Sequence, residues 1–196
     1  MSNNSSPRGK RVKPRFDKRI NRTRIALAEA LMALGPARGV DNLDVRSLTA
    51  KAGVGRSTFY KHYADKDDFF IKSFAGMVEA RDSHARAYRR DYDTMLPAHE
   101  VFQHVEEARA FAKSLVESGQ FGRTIAARED VLRRIAEGNL KRLHPNWPAS
   151  RRQETAVVLA STFAGLMRWW MEDGVRKDAT YVAGLYDAIA RRVLQS

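Results

Sequence analysis

Apolar residues along most of this chain recur at the intervals of an α-helix, and no segment shows the sustained alternation of a half-buried strand. In the first such segment, Ile20, Leu27, Leu31 and Leu34 are seven, four and three residues apart and therefore share one helical face. The same kind of spacing predicts helices over about residues 20–37, 45–52, 56–63, 65–90, 99–117, 121–143, 149–172 and 179–194. We therefore predict an all-α fold.

The ends of these helices are predicted from residues that cap or break a helix. Asp44 is expected to cap the second helix, and Gly53 to end it in the left-handed conformation, because glycine has no Cβ to clash there. Breaks are also predicted at Gly35–Gly39, 91–97, Ser118–Gly119, 144–148 and Gly174, and an interruption near Gly138 is left open.

The second and third predicted helices, joined through Gly53 and Val54, have the layout of a helix-turn-helix. In that motif the later helix lies in the major groove of DNA. It is expected to begin at Gly55 or Arg56, and a fourth helix is expected to follow the cap residue Asp65.

The distribution of charge supports a DNA-binding role for this part of the chain. The 196 residues carry a formal net charge of +12; residues 1–66 hold 15 Lys/Arg against 5 Asp/Glu, whereas residues 67–196 hold 20 against 18. Clustered cations neutralise phosphates and release counterions. We divide the chain into a basic, disordered arm (1–19), a helix-turn-helix domain (20–66) and a helical effector-binding and dimerisation domain (67–196). The arm is expected to contact DNA through residues 8–19, or else to act only as a solubilising tail.

Several other kinds of protein are disfavoured by composition. The chain has no cysteine, no apolar run near the roughly 18 residues of a membrane span, and no apolar signal-peptide core at its start. We expect a cytoplasmic protein that is not an enzyme and needs no metal or cofactor. His99, Glu100 and His104 have helical spacing that suits a metal, but no further ligand is evident.

Individual side chains of the third helix match what DNA offers. Arg56 can form a bidentate pair with guanine, worth about 1–3 kcal/mol of discrimination. Phe59 and Tyr63, four residues apart, are assigned to packing against the first two helices. The full set of predicted DNA contacts to bases or phosphates is Arg46, Arg56, Ser57, Thr58, Tyr60, Lys61, His62 and Lys66.

The segment Leu43–Phe70 resembles the DNA-binding domain of TetR-type transcriptional regulators in its Ala-Gly-Val turn, its Thr58-Phe59-Tyr60 run and its Asp65-Lys66-Asp67 run. Thr49 and Gly55 depart mildly from that family's pattern, and the segment from Phe163 to Gly174 is similar to the penultimate helix of many members. The resemblance implies a homodimer on a near-palindromic operator, and a small-molecule effector that releases it. It also transfers DNA contact to the predicted positions other than Lys61.

The last two predicted helices are candidates for the dimer contact, because a palindrome is read by two copies at fixed spacing. The earlier one carries the small residues Ala160, Ser161, Ala164 and Gly165, and the last carries Tyr181, Leu185, Ile189 and Val193 at spacing four. Both stripes could instead belong to the core of one chain. Candidate effector contacts, which could equally be core residues, are Phe102, Phe111, Trp147, Met167 and Trp170.

From these observations we predict a sequence-specific, dimeric repressor whose operator binding is relieved by a small molecule. The alternatives are an architectural protein that binds DNA without sequence preference, and a helical ligand-binding protein or enzyme with an incidental basic segment. Association of the basic arm with a membrane surface is a further alternative, but the arm has no bulky apolar anchor except Phe16.

Overall fold

The computed structural model describes residues 15–88 and 93–195, and within them it contains helices and no strand. The helices are α1 Arg15–Arg38, α2 Val45–Ala52, α3 Arg56–His62, α4 Lys66–Tyr88, α5 Ala98–Glu107, α6 Arg109–Glu117, α7 Gln120–Arg123, α8 Ile125–Leu143, α9 Ala149–Glu172 and α10 Ala179–Gln195. The all-α prediction is confirmed, with a helix-turn-helix at the N-terminal end of a larger helical body.

Helix ends that depend on local capping lie where the sequence predicts them. The Asp44 side chain accepts a hydrogen bond from the Ser47 N–H at 2.7 Å, and Gly53 ends α2 with a φ of 65°. Asp65 Oδ1 similarly accepts from the N–H of Asp68, in the first turn of α4. Each cap satisfies backbone groups that a helix end leaves without an internal partner.

Three boundaries differ from the prediction. Helix α1 already begins at Arg15, whereas residues 1–14 of the predicted arm lie outside the described residues. The single helix predicted over 99–117 is broken at Ala108, and the next one is broken at Thr124 rather than near Gly138. Part of the break predicted over 91–97 also lies outside the described residues.

A local hydrogen bond accompanies one of the two unpredicted breaks, and packing between α1 and α6 accompanies the other. The Thr124 hydroxyl donates to the Gln120 carbonyl at 2.9 Å, so the side chain competes with the backbone for the last turn of α7. The break at Ala108 separates α5 from α6, and α6 packs against α1. There the Ser114 hydroxyl donates to the Gly35 carbonyl at 2.9 Å and accepts from the Val40 N–H at 3.1 Å.

One continuous hydrophobic core joins the helix-turn-helix to the rest of the chain. Phe59 of α3 is fully buried, and its ring lies 5.6 Å from that of Phe69 on α4. Tyr63, directly after α3, lies 4.9 Å from the same Phe69 ring. Helix α4 therefore packs against both the helix-turn-helix and the rest of the chain. A movement of α4 would be transmitted to α3 through these aromatic contacts. None of the helices in the described ranges is long and apolar enough to span a bilayer.

Candidate DNA interface and ligand cavity

Helix α3 is only seven residues long and is therefore held in place by packing rather than by its own stability. Phe59 anchors its inner face, as the sequence predicts. The opposite face presents Arg56, Ser57, Tyr60 and Lys61 to solvent, and the Tyr60 side chain is 57% exposed. Thr58 and His62 are half-buried at the edges of this face. A rigid helix with a polar outer face is what insertion into a DNA groove requires.

Arg46 adds a second cation close to this face. Arg46 is exposed in the first turn of α2, two residues after the cap residue Asp44. Hydrogen bonds from Ser47 are the main cause that lowers the pKa of the Asp44 carboxyl, and the positive charges of Arg46 and Arg56 lower it further. Arg46 and Arg56 thus both favour the charged form of this cap residue.

Lys66 is placed differently from the other predicted contacts. Its ammonium group donates to the Asp41 carbonyl at 3.1 Å, in the turn between α1 and α2, and the residue is half-buried. To contact a DNA phosphate, the Lys66 ammonium has to give up its hydrogen bond to the Asp41 carbonyl. The flexible stem of lysine makes such an exchange inexpensive.

A cavity of about 960 Å³ extends between α1 and α4 and into the helical body. Its walls come from α1, α4, α5, α6, α8 and α9, so residues of both predicted domains line it. Most of the lining is apolar. Of the five predicted effector contacts, Phe111 and Met167 line this cavity.

The other three predicted contacts lie elsewhere. Phe102 and Trp170 are fully buried in the core, where the Phe102 ring stacks on Phe163 at 5.0 Å and meets Trp170 edge-on at 5.4 Å. Trp147 stacks on His144 at 4.3 Å, and the guanidinium of Arg151 lies 3.9 Å from the centre of its ring. These aromatic side chains already have partners within the chain.

Four polar residues that the sequence does not predict as effector contacts also line the cavity: Tyr63, Arg81, His104 and Arg128. Burial raises the pKa of Tyr63 and lowers the pKa values of Arg81 and His104. Arg128 could have been recognised from spacing. It lies three residues after Ile125 and four before Leu132, within the apolar stripe of α8 where a charged residue is out of place.

The two histidines considered as metal ligands have different surroundings in the structure. His99 Nε2 is 3.0 Å from Asp187 Oδ2, whereas His104 faces the cavity. Within residues 15–88 and 93–195, no group of three or more His, Asp or Glu side chains could hold a metal ion.

Helices α9 and α10, which pack against each other, both expose apolar side chains, and together we call these the α9–α10 face. Its large members are between 41% and 55% exposed: Val157, Val158, Trp169, Tyr181 and Ile189. Ser161 and Gly165 are exposed beside them, whereas Ala160 and Ala164 are buried within the chain. Only part of the predicted small-residue stripe is therefore available to a second molecule.

Comparison with known proteins identifies the N-terminal part of the chain. Residues 26–72 match the family described as bacterial regulatory proteins, tetR family. No curated protein sequence shows a significant match to this chain.

Solved structures resemble the fold over nearly its whole length. A TetR-family transcriptional regulator from Syntrophomonas wolfei has a TM-score of 0.60 at 17% identity, with 90% of this chain and 96% of that chain covered. A TetR transcriptional regulator from Rhodococcus sp. has a TM-score of 0.57 at 11% identity and 91% and 97% coverage. The TetR family repressor AlkX from Dietzia sp. has a TM-score of 0.55 at 16% identity and 95% and 98% coverage. The predicted resemblance is confirmed: residues 26–72 match the tetR family, and the whole described chain has the fold of these regulators.

Proposed function

We propose that this TetR-type regulator is a homodimeric, cytoplasmic repressor that binds a near-palindromic operator and releases it when a small molecule enters the cavity. The observation that carries the proposal is the exposed polar face of α3, fixed to the body by the buried Phe59. That arrangement lies within the residues that match the tetR family.

In the proposed complex, α3 enters the major groove and its first turn reaches the bases. Arg56 pairs with a guanine, and Ser57 contacts an adjacent base edge. Phosphate contacts come from side chains around these two: Arg46, Thr58, Tyr60, Lys61, His62 and Lys66. Phosphate contacts set position and affinity, whereas base contacts set sequence preference.

The α9–α10 face supports dimer formation. Val158, Trp169 and Ile189 expose apolar area on adjacent helices, where a monomer would leave it in water. A two-fold axis through this face would cover the same residues on both copies. Two reading heads at fixed spacing could then contact two half-sites about one helical turn apart.

Release by an effector follows from the composition of the cavity wall. Because α1 and α4 both line the cavity, a ligand that fits one arrangement of these helices favours that arrangement over others. Tyr63, which lines the cavity and directly follows α3, gives the ligand a short route to the DNA-binding surface.

The decisive experiment is a fluorescence-anisotropy titration of the full chain against DNA from beside its own gene, with a scrambled duplex as control. We expect a preference for the native sequence of roughly 10³-fold or more, with two chains bound per site. Equal affinity for both duplexes at every salt concentration would contradict sequence-specific regulation and favour an architectural DNA-binding protein.

A further inference from the structure

The buried arginine of the cavity is a charge for which the described chain supplies no counter-ion. Arg128 is 7% exposed and is the residue of α8 that lines the cavity. Within residues 20–88 and 93–195, no carboxylate lies within ion-pair distance of its guanidinium. Burial lowers its pKa to about 10, and no acidic neighbour offsets that effect.

The contacts that Arg128 does make hold it in position without neutralising it. Its Nε donates to the Thr124 hydroxyl at 2.9 Å. Its guanidinium carbon lies 5.0 Å from the centre of the Phe74 ring and 5.4 Å from that of Phe121. Aromatic faces attract a cation only modestly, whereas a buried charge without a partner is strongly unfavourable. The two terminal nitrogens are left for another acceptor.

The surroundings of Arg128 in the cavity are apolar. Phe74, Leu115, Met167 and Met171 are all buried lining residues. The acidic lining residues, Glu29 and Glu79, are exposed on α1 and α4, where water screens their charge. Buried apolar side chains and the guanidinium of Arg128 therefore face the same cavity.

The other cations at the cavity are already engaged or exposed. Arg81 donates through Nε to the Glu100 carbonyl at 3.0 Å. Lys72 forms an ion pair of 2.8 Å with Asp68. Arg24 is exposed on α1. Among the described cationic residues that line the cavity, Arg128 is thus the one that is buried and whose terminal nitrogens can bind a new acceptor.

We propose that the effector is an amphipathic organic anion, whose carboxylate pairs with the guanidinium of Arg128 and whose apolar part fills the cavity beside Phe74 and Met167. The proposal rests on the proposed function and specifies its ligand class. A guanidinium offers two parallel N–H donors that match the two oxygens of a carboxylate. The volume of about 960 Å³ is within the range of ligand sites for molecules of moderate size.

The test compares three probes of equal chain length but different charge: decanoate, 1-decanol and decylamine. Their affinities for the full chain are measured by isothermal titration calorimetry, without DNA. We expect decanoate to bind at least about tenfold more tightly than either other probe. Equal binding of decanoate and decanol, tighter binding of decylamine, or no binding of decanoate would overturn the proposal.

Variants at Arg128 assign the preference to that residue. Arg128→Met should remove the advantage of decanoate over decanol, and Arg128→Lys should retain part of it, because lysine keeps the charge but loses the paired donors. Arg134→Met is the matched control, since Arg134 is an exposed arginine of the same helix that pairs with Asp130. Circular dichroism before each titration verifies that the variants are folded. An unchanged preference in a folded Arg128→Met protein would overturn the proposal.

A second measurement separates this proposal from the proposed function. Decanoate is titrated into the complex of the protein with its DNA site, and release is followed by anisotropy. Binding through Arg128 without release would leave the anion site intact and contradict relief by an effector. Release by decanol and decanoate at equal concentrations would contradict the anion site and leave effector relief intact.

Discussion

The side-chain amide of Gln120 donates a hydrogen bond to Asp67 Oδ1 at a distance of 2.8 Å. Gln120 is fully buried in α7, and Asp67 lies in the first turn of α4, soon after the DNA-facing helix α3. The amide oxygen of Gln120 in turn accepts from Arg123, which also pairs with Asp41 at 2.7 Å in the turn between α1 and α2. Two polar contacts thus join α7 to other parts of the chain, one to the first turn of α4 and one to the turn between α1 and α2.

Replacement of Gln120 by leucine should lower the free energy of unfolding by about 1–3 kcal/mol, because a buried hydrogen-bond partner of Asp67 is lost. Urea denaturation followed by circular dichroism measures the change. Gln103→Leu is the control, since Gln103 is exposed and its 3.2 Å contact with Glu107 lies within one helix. Equal effects of the two substitutions would show that the contact to Asp67 contributes little.

Arg56→Ala and Lys66→Ala should weaken DNA binding in different ways. Loss of Arg56 should cost about 1–3 kcal/mol at one base position and relax preference there, because a base contact is removed. Loss of Lys66 should weaken all sequences about equally and lower the salt slope by about one. Anisotropy titrations on native and base-substituted duplexes at several salt concentrations distinguish the two. If neither substitution changes affinity, the proposed docking of α3 is wrong.

Gly35→Ala should destabilise the protein, although alanine usually favours a helix. A Cβ at Gly35 would lie 2.7 Å from Phe111 Cδ2, so either the phenyl ring or α1 must move. We expect a loss of about 1–3 kcal/mol in the free energy of unfolding. Gly138→Ala, where a Cβ would meet nothing within 4 Å, should instead gain up to about 1 kcal/mol. Thermal denaturation of both variants checks the difference in sign.

Ile189→Glu should convert the proposed dimer into a monomer, because it places a charge in the α9–α10 face. Light scattering should then give about the 22.2 kDa of one chain rather than twice that mass. Tyr88→Glu is the control: Tyr88 is 76% exposed on α4, outside this face, and the variant should remain dimeric. A dimer that survives Ile189→Glu would place the contact elsewhere on the molecule.

Acid should destabilise the protein partly through His104. Burial, and then the charge of Arg81, lower the pKa of His104 below its ordinary value of 6.5. As the pH falls below 6.5, the unfolded chain takes up a proton before the folded chain does, so stability is present above that pH and declines below it. His104→Gln should flatten this decline in urea denaturation between about pH 5 and 7. Gln103→Leu, an exposed substitution on the same helix that removes no titratable group, is the control and should leave the decline unchanged.

The sequence predicts those parts of the fold that depend on local rules. Asp44 and Gly53 lie at the two ends of α2 because a cap and a left-handed residue are required there, and α9 ends as predicted, shortly before Gly174. The breaks at Ala108 and Thr124 were missed because neither residue is a helix breaker by itself. The break at Ala108 precedes α6, which packs against α1, and this is long-range information. The break at Thr124 coincides with a hydrogen bond from its side chain to the Gln120 carbonyl, which the usual helix-ending signals do not include.

For the candidate site too, some placements follow from the sequence pattern and others require the three-dimensional structure. Exposure of Arg56, Ser57 and Tyr60 was predictable, since α3 has one apolar face and the rest must point outward. The sequence suggests Phe102 and Trp170 as effector contacts because core residues and cavity-lining residues of a helix have the same spacing along the chain. Only the three-dimensional arrangement distinguishes core residues from cavity residues, and only it reveals that no described carboxylate pairs with Arg128.

The shared walls of the cavity also have a kinetic consequence. The cavity opens to solvent between α1, which belongs to the predicted DNA-binding part, and α4, which continues into the body, so the width of its mouth depends on the separation of these two helices. Bound DNA restrains α1 through the helix-turn-helix and should therefore slow both entry and escape. A regulator built in this way responds more slowly while it occupies its operator than while it diffuses freely.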